Sequence, residues 1–282
     1  MIFIQGGNYM NFYHIDSFTS ELFKGNPAGV CILGDSWPSD ELMQKIAFEN
    51  DLSETAFLIC CGGEYHIRWF TPAVEVDLCG HATFATFYAL VNFEGYKGDN
   101  IRFLSASGEL RAYRNGNLIT IDLPVATLKR EDYKWSFDCF DSRPVEVYSA
   151  NDEYMFVFEH EGQIANIKYN LDNISKVDSQ GIIVTAPGGT GKKPGEAAEG
   201  QVDFVSRYFG PNCGIPEDPV TGSAHTLLMP YWAKRLGKNS LEAMQLSPRT
   251  GRLSCKLQGK RVLLSGHGVA FIRGRIDLTD TP

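Results

Sequence analysis

Arg68-Trp69-Phe70-Thr71-Pro72, followed twelve residues after the arginine by Gly80-His81-Ala82, is the stretch whose reading decides the fold. The chain says nearly the same thing again at Arg207-Tyr208-Phe209-Gly210-Pro211, followed fifteen residues after that arginine by Gly222-Ser223-Ala224. Ser107-Gly108-Glu109-Leu110 has a counterpart in Thr250-Gly251-Arg252-Leu253, and Gly116 in Gly259. The offsets are 139, 142, 143 and 143, close to half of the 282 residues, so the repeat is the whole protein. Solenoid and propeller arrays repeat every ~20–50 residues. A single copy-and-repeat of this length means two lobes instead. The expected lobes are residues 10–130, with 1–9 as an N-terminal extension, and residues 131–282, with the crossing somewhere in 124–150. Equivalent loops of two such pseudo-symmetric lobes are expected to meet at a cleft, and what differs between the copies there is the candidate machinery.

Composition narrows the class. Apolar residues make up 43% of the chain and aromatics 12%, enough for two real cores. The net charge of −8, without a Lys/Arg block, argues against a nucleic-acid partner. Seven scattered cysteines, an odd number, fit a reducing cytosol better than a disulfide scaffold. The opening Met1-Ile-Phe-Ile is too short and too uncharged for a signal peptide, and no apolar run approaches the ~20 residues of a membrane span. The expectation is a cytoplasmic protein without membrane association.

Along the first copy, a strand over Phe12–Asp16 is followed by a Gly/Pro loop, Gly25-Asn26-Pro27-Ala28-Gly29, and a strand over Val30–Leu33. Ser39 reads as the N-cap of a helix with Leu42, Met43, Ile46 and Ala47 at helical spacing. Glu54 sits on the connection into the next strand. Residues 66–70 and 74–78 read as strands, after which Gly80-His81 turns into a helix over Ala82–Asn92 that is apolar nearly all round. A helix without a polar face must be enclosed, and a curved mixed sheet or barrel wrapped round it is the natural enclosure. Ala224–Leu236 plays the same part in the second copy, with Pro230 expected to bend it. The fold class is α+β. Residues 188–200 read as a surface loop. Their Gly191-Lys192-Lys193 imitates a phosphate loop but lacks the Ser/Thr that binds magnesium, and Pro194 disfavours the helix that must follow.

Both long helices follow a glycine, and a helix start offers unpaired N–H groups and a positive dipole end to an anion. Two such starts, at Gly80-His81 and Gly222-Ser223, would hold a small carboxylate-bearing molecule. Residues not duplicated lie beside them: Glu54 in the first copy, and in the second a three-residue insertion presenting Glu217 and Asp218. A carboxyl group partly withdrawn from water can accept and return a proton near neutral pH. Cys79 directly precedes Gly80, where Thr221 precedes Gly222, and a thiol at a helix start can act as base or nucleophile. Glu75, Asp77, Cys79 and His81 alternate in a way that hints at zinc, but no HxxxH or paired CxxC accompanies them, and no metal is assigned.

At these residues the chain resembles the PhzF-like, phenazine-biosynthesis family of the diaminopimelate-epimerase fold. The matching segments are Asp16-Ser17-Phe18-Thr19, Gly25 to Gly29, Asp51 to Phe57, Arg68 to Thr83 and Arg207 to Ala224, in order across nearly the full length. The resemblance implies an isomerase that needs no cofactor, with Glu54 shuttling a proton between carbons of a small, unsaturated cyclic amino acid in the cleft between lobes. It implies His81 and Asp218 as further catalytic residues, and Gly80, Gly222 and Ser223, with Thr221 and Cys79 beside them, as the substrate-binding set. Homodimers are common in such families. Two other readings stay open: an amino-acid racemase, epimerase or dehydratase working through Cys79 and Thr221, and a small-molecule binding protein without turnover.

Overall fold

The structure is a computed structural model and describes residues 9–134, 138–189 and 201–278. The expectations for the N-terminal extension and the phosphate-loop imitation fall wholly or mainly outside the described residues. The chain divides into two compact units, one taking the chain up to Leu123 and from Ser265 onward, the other Pro124–Leu264.

In the first unit, the elements run β1 (Tyr9–Ser17), β2 (Asn26–Ile32), α1 (Asp40–Asn50), β3 (Glu54–Cys61), β4 (Glu64–Phe70), β5 (Glu75–Val76), α2 (Gly80–Asn92), β6 (Asn100–Ser105), β7 (Gly108–Asn115) and β8 (Leu118–Pro124). The second unit follows with β9 (Lys129–Glu131), β10 (Glu146–Ala150), β11 (Glu153–Val157), α3 (Glu161–Asn166), α4 (Leu171–Ile174), β12 (Gly181–Pro187), β13 (Phe204–Gly210), β14 (Ile215–Asp218), α5 (His225–Leu236), β15 (Ser240–Gln245), β16 (Gly251–Gln258) and β17 (Arg261–Gly266). The last strand, β18 (Gly268–Asp277), returns to the first unit.

Pairing repeats as the sequence does. β1 and β2 are antiparallel, β2 and β3 parallel, β3 and β4 antiparallel, and β4 and β6 parallel. β10 through β15 follow the same scheme, with β11–β12 and β13–β15 parallel. Parallel neighbours need a long crossover, and each is made by helix. α1 links β2 to β3, α2 links β4 to β6, and α5 links β13 to β15. α2 is buried over nearly its whole length, from Gly80 to Phe87 and again at Ala89 and Leu90. Its two buried hydroxyls, Thr83 and Thr86, are satisfied by the carbonyls of Cys79 and Ala82 four residues back.

Pro230 lies inside α5 and lacks the N–H that would reach the Thr226 carbonyl. The N–H of Ala126 takes that carbonyl at 3.1 Å, so the gap in the helix ladder is filled from outside.

Two expectations change. Gly25-Asn26-Pro27-Ala28-Gly29 is not a loop throughout, because β2 already begins at Asn26. A Cβ at residue 29 would lie 2.8 Å from the Thr55 hydroxyl of β3, so that glycine serves a close strand contact. The second lobe, expected to run to residue 282, ends earlier, since β18 pairs antiparallel with β1 from Tyr9↔Asp277 to Ser17↔Gly268. The free edge of β1 captures a strand more than 250 residues away in sequence.

Each hairpin before a long helix is closed by an arginine fork. Arg68 donates to both carboxylate oxygens of Glu75 at 2.7 Å and lies over Phe70; Arg207 donates to both oxygens of Glu217 at 2.7 and 2.8 Å and lies over Phe209. The first fork is partly exposed, with 22% of the Arg68 side chain and 39% of Glu75 accessible, whereas both side chains of the second are at 9%. Breaking a buried pair strands a charge and costs about 3–5 kcal/mol, while an exposed pair contributes about 0–1 kcal/mol. Arg207→Ala is therefore expected to shift the urea midpoint more than Arg68→Ala, a contrast that denaturation curves of the two variants measure.

Candidate active site

In the first unit, Glu54 opens β3 and His81 is the second residue of α2, so a strand start and a helix start are brought together. Glu54 Oε2 and His81 Nε2 lie 3.2 Å apart, with only 12% and 5% of their side chains accessible. Both atoms are buried, yet neither makes a hydrogen bond of good geometry among the described residues. The other ring nitrogen, Nδ1, lies 3.5 Å from the Cys79 sulfur. Cys79 is the N-cap of α2, and the hydroxyl of Ser17 holds the His81 carbonyl at 2.9 Å. Gly80 is the first residue of the helix. Thiol, imidazole and carboxylate thus form a compact triangle, with one ligand atom of each within 4.8 Å of the others.

The electrostatics follow from burial and from this proximity. The thiol is pushed up to about 11 by its burial and by the negative charge of Glu54, so it keeps its proton at neutral pH. Burial works against protonation of His81, and its contacts with Cys79 and Glu54 override it, holding the imidazole well above its usual range.

Glu54, Cys79 and His81 also present an oxygen, a sulfur and a nitrogen within 4.8 Å of one another, a donor set that zinc-class ions accept. Of the zinc hint in the sequence, Glu75 is held by Arg68.

In the second unit, Asp218 closes β14 opposite Tyr208 of β13. The Thr221 hydroxyl donates to Asp218 Oδ2 at 2.5 Å. Gln245, fully buried at the end of β15, fixes both residues. Its Nε2 donates to the Asp218 carbonyl at 2.7 Å and to the Thr221 hydroxyl at 3.1 Å, and its Oε1 accepts the Thr221 N–H at 2.8 Å. Ser247 donates to the Pro219 carbonyl, and His225 is held 2.8 Å from the Thr221 carbonyl. Burial pushes His225 down to about 4, so it is neutral and its Nδ1–H is the donor.

Gly222 and Ser223 do not open the helix as expected. They form a tight turn, with the N–H groups of His225 and Thr226 donating to their carbonyls, and α5 begins at His225. Glu217, offered by the insertion in the sequence, belongs to Arg207 instead and leaves Asp218 as the carboxylate of this turn. Gln245 and Ser17 were missed. The signal for Gln245 lay in its strand, where Leu241, Ala243 and Gln245 share the buried phase of the alternation.

Comparison with known proteins adds a third line. The family model described as phenazine biosynthesis-like protein, PhzC-PhzF, matches residues 15–274. An uncharacterized isomerase of Pseudomonas aeruginosa is 42% identical over 273 residues, covering 95% of this chain and 99% of its own. The crystal structure of a PhzF-family phenazine biosynthesis protein from Enterococcus faecalis is 38% identical, covers 95% of this chain and 99% of its own, and superposes with a TM-score of 0.87. A hydroxyproline epimerase from Agrobacterium vitis, 10% identical, covers 99% of this chain and 95% of its own with a TM-score of 0.63, a likeness of fold alone.

The His81–Glu54 contact carries a pH signature. A group whose folded pKa lies above its unfolded value stabilises fully below the unfolded value and loses that stabilisation as pH rises through the folded one. His81 is expected to remain an imidazolium at neutral pH, and Glu54→Gln to move its titration downward and flatten this part of the stability profile. Ring-nitrogen NMR of the two proteins across pH 5–9 reads the first effect, and thermal melts the second.

Proposed function

Because the chain belongs to the PhzC-PhzF, phenazine biosynthesis-like family, we propose that this isomerase moves a proton between carbons of a small, unsaturated, cyclic, carboxylate-bearing amino acid, with Glu54 as the acid/base. One observation carries the reading: a buried carboxylate oxygen and a buried imidazole nitrogen face each other at 3.2 Å with their hydrogen-bonding capacity unspent. Polar atoms so enclosed are costly unless a ligand completes them.

The cycle balances without a further reactant. Glu54 takes a proton from one carbon of the substrate as that C–H bond breaks and the double-bond electrons shift. The resulting carboxylic acid returns the same proton to a second carbon. The charge of His81 is then balanced by the delocalised negative charge on the substrate during the intermediate state. Positioned proton transfer of this kind contributes about 10²–10⁴ in rate.

The resemblance assigns Asp218 and Ser223 of the second unit and His81 of the first, with the N–H groups of Gly222 and Gly80, to bind and polarise the substrate, and Thr221 stands beside them. A carboxylate like that of Asp218, bonded by a hydroxyl on a backbone that Gln245 fixes, suits an ammonium group, and backbone N–H groups suit a carboxylate. The thiol alternative, a racemase, epimerase or dehydratase using Cys79 and Thr221, needs a thiolate, and the upward push on Cys79 works against it.

The test is solvent exchange at carbon in deuterated water with a panel of cyclic amino acids that includes dihydro-hydroxyanthranilate. Exchange is expected in the wild type, to fall about 10²–10⁴-fold in Glu54→Gln and to persist in Cys79→Ala. The reverse pattern between the two variants, or ligand binding without any exchange, overturns the reading.

A further inference from the structure

The register of the two units shows a carboxyl group that has changed strands. In the first unit, Phe57 of β3 lies opposite Arg68, and three residues earlier Glu54 lies beside Ala28 of β2. In the second, Val184 of β12 lies opposite Arg207, and three residues earlier Gly181 lies beside Glu153 of β11. Counted from the two arginines, Gly181 stands at the Glu54 position and Glu153 at the Ala28 position. The second unit therefore has a carboxyl group of its own at this place, supplied by the neighbouring strand. It is 6% exposed.

Its surroundings are built around it. Tyr208 replaces Trp69 of the first unit and hydrogen-bonds Glu153. The phenol reaches it through a slot made by two glycines. A Cβ on Gly181 would come within 2.5 Å of the Tyr208 hydroxyl, and one on Gly210 within 2.9 Å of the ring. Tyr208 is also the register partner of Asp218, whose charge acts on both Tyr208 and Glu153.

We propose that Glu153 is a positioning residue that, oriented by the Tyr208 hydroxyl, holds a proton beside Asp218 and so keeps the second unit's buried carboxyl cluster to a single negative charge. Two carboxyl groups in one buried place do not both ionise readily. Asp218 has the better support for its charge, with the Thr221 hydroxyl at 2.5 Å and its backbone fixed by Gln245. Glu153 has the phenol and little else. Burial foremost, with the charge of Asp218 adding to it and the phenol's hydrogen bond opposing it, pushes Glu153 up to about 7. Burial and the same two carboxylates push Tyr208 far above its usual range, so the phenol remains a donor. The titratable groups facing Glu153 are Tyr208 of β13 and Asp218 of β14, with Cys213 acting on the far side of the phenol.

The proton's location rests on the burial and neighbours of Glu153, whereas its consequence for turnover rests on the reading of Asp218 as a substrate-binding residue. When Glu153 ionises above about pH 7, a second charge appears in this cluster and opposes the substrate carboxylate assigned to the neighbouring Gly222 N–H. KM is then expected to rise up to about tenfold per pH unit on the alkaline side while kcat holds.

The experiment follows wild type, Glu153→Gln and Tyr208→Phe from pH 5 to 9 by infrared spectroscopy of the carboxyl band, thermal melting and solvent-exchange kinetics. A protonated-carboxyl band is expected in the wild type that titrates near pH 7, disappears in Glu153→Gln, and persists to higher pH in Tyr208→Phe, where the opposing hydrogen bond is gone. A carboxyl held above its unfolded value loses stabilisation as pH rises, so the melting temperature of Glu153→Gln relative to wild type is expected to increase between pH 5 and 8. Exchange by Glu153→Gln is expected to keep its low KM on the alkaline side. Absence of the band at pH 6, or its survival in Glu153→Gln, overturns the proposal. An alkaline rise in KM unchanged in Glu153→Gln overturns the positioning role. The infrared and melting measurements need no substrate, so their result stands apart from any failure of the isomerase reading, which Glu54→Gln reports.

Discussion

The arginine fork at the mouth of each hairpin is the constraint on which the rest of the structure depends. Arg68 ties Glu75 to β4, and four residues later the chain reaches Cys79 and the start of α2. Arg207 ties Glu217 to β13, and the very next residue is Asp218. A bidentate guanidinium–carboxylate pair fixes both distance and direction, which a lysine on the same strand would not. The chain therefore leaves each hairpin at a set place, and the groups with chemistry lie within a few residues of that exit. The parallel pairs β4–β6 and β13–β15 then require a helix to follow, which accounts for a helix or turn start beside each fork.

Within this repeated frame the two copies have been furnished differently. The first has a compact triad of thiol, imidazole and carboxylate, in which the neighbours of Cys79 and His81 change the proton affinity of both. The second has a cluster of hydrogen-bonded acids and neutral donors: Glu153 with Tyr208, Asp218 with Thr221, both ends of the Asp218–Thr221 turn clamped by Gln245. Charge in the first copy is balanced by an imidazolium. In the second it is limited by withholding ionisation. Both solutions answer the same difficulty, that a carboxylate shut away from water must be either paired or neutral.

The ion pair of Glu54 and His81 is also the place where stability and chemistry are in tension. A fully satisfied pair would hold the fold better, but it would have no capacity left for a substrate. Here the geometry leaves Oε2 and Nε2 near one another without a good hydrogen bond, a small local strain of the sort that sites keep and cores remove. Ser17, donating to the His81 carbonyl, and the burial of α2 along almost its whole length keep the helix start from relaxing.

The sequence alone determined the duplication, the two apolar helices, and the nearness of Glu54, Cys79 and His81 to a helix start. These are legible because they rest on local pattern: short motifs at a constant offset, helical periodicity, and a glycine where a strand becomes a helix. Tertiary structure decided what depends on partners far away along the chain. The Pro/Gly run at 25–29 becomes a strand because β1 and β3 flank it, and β18 joins the first unit because β1 has an edge to fill. Gln245 acquires its role only when β15 comes to rest beside β13, and Glu153 acquires its partner only when Tyr208 slides over Gly181. Hydrogen bonding between strands leaves no trace in the spacing of residues, so its consequences had to be seen in three dimensions.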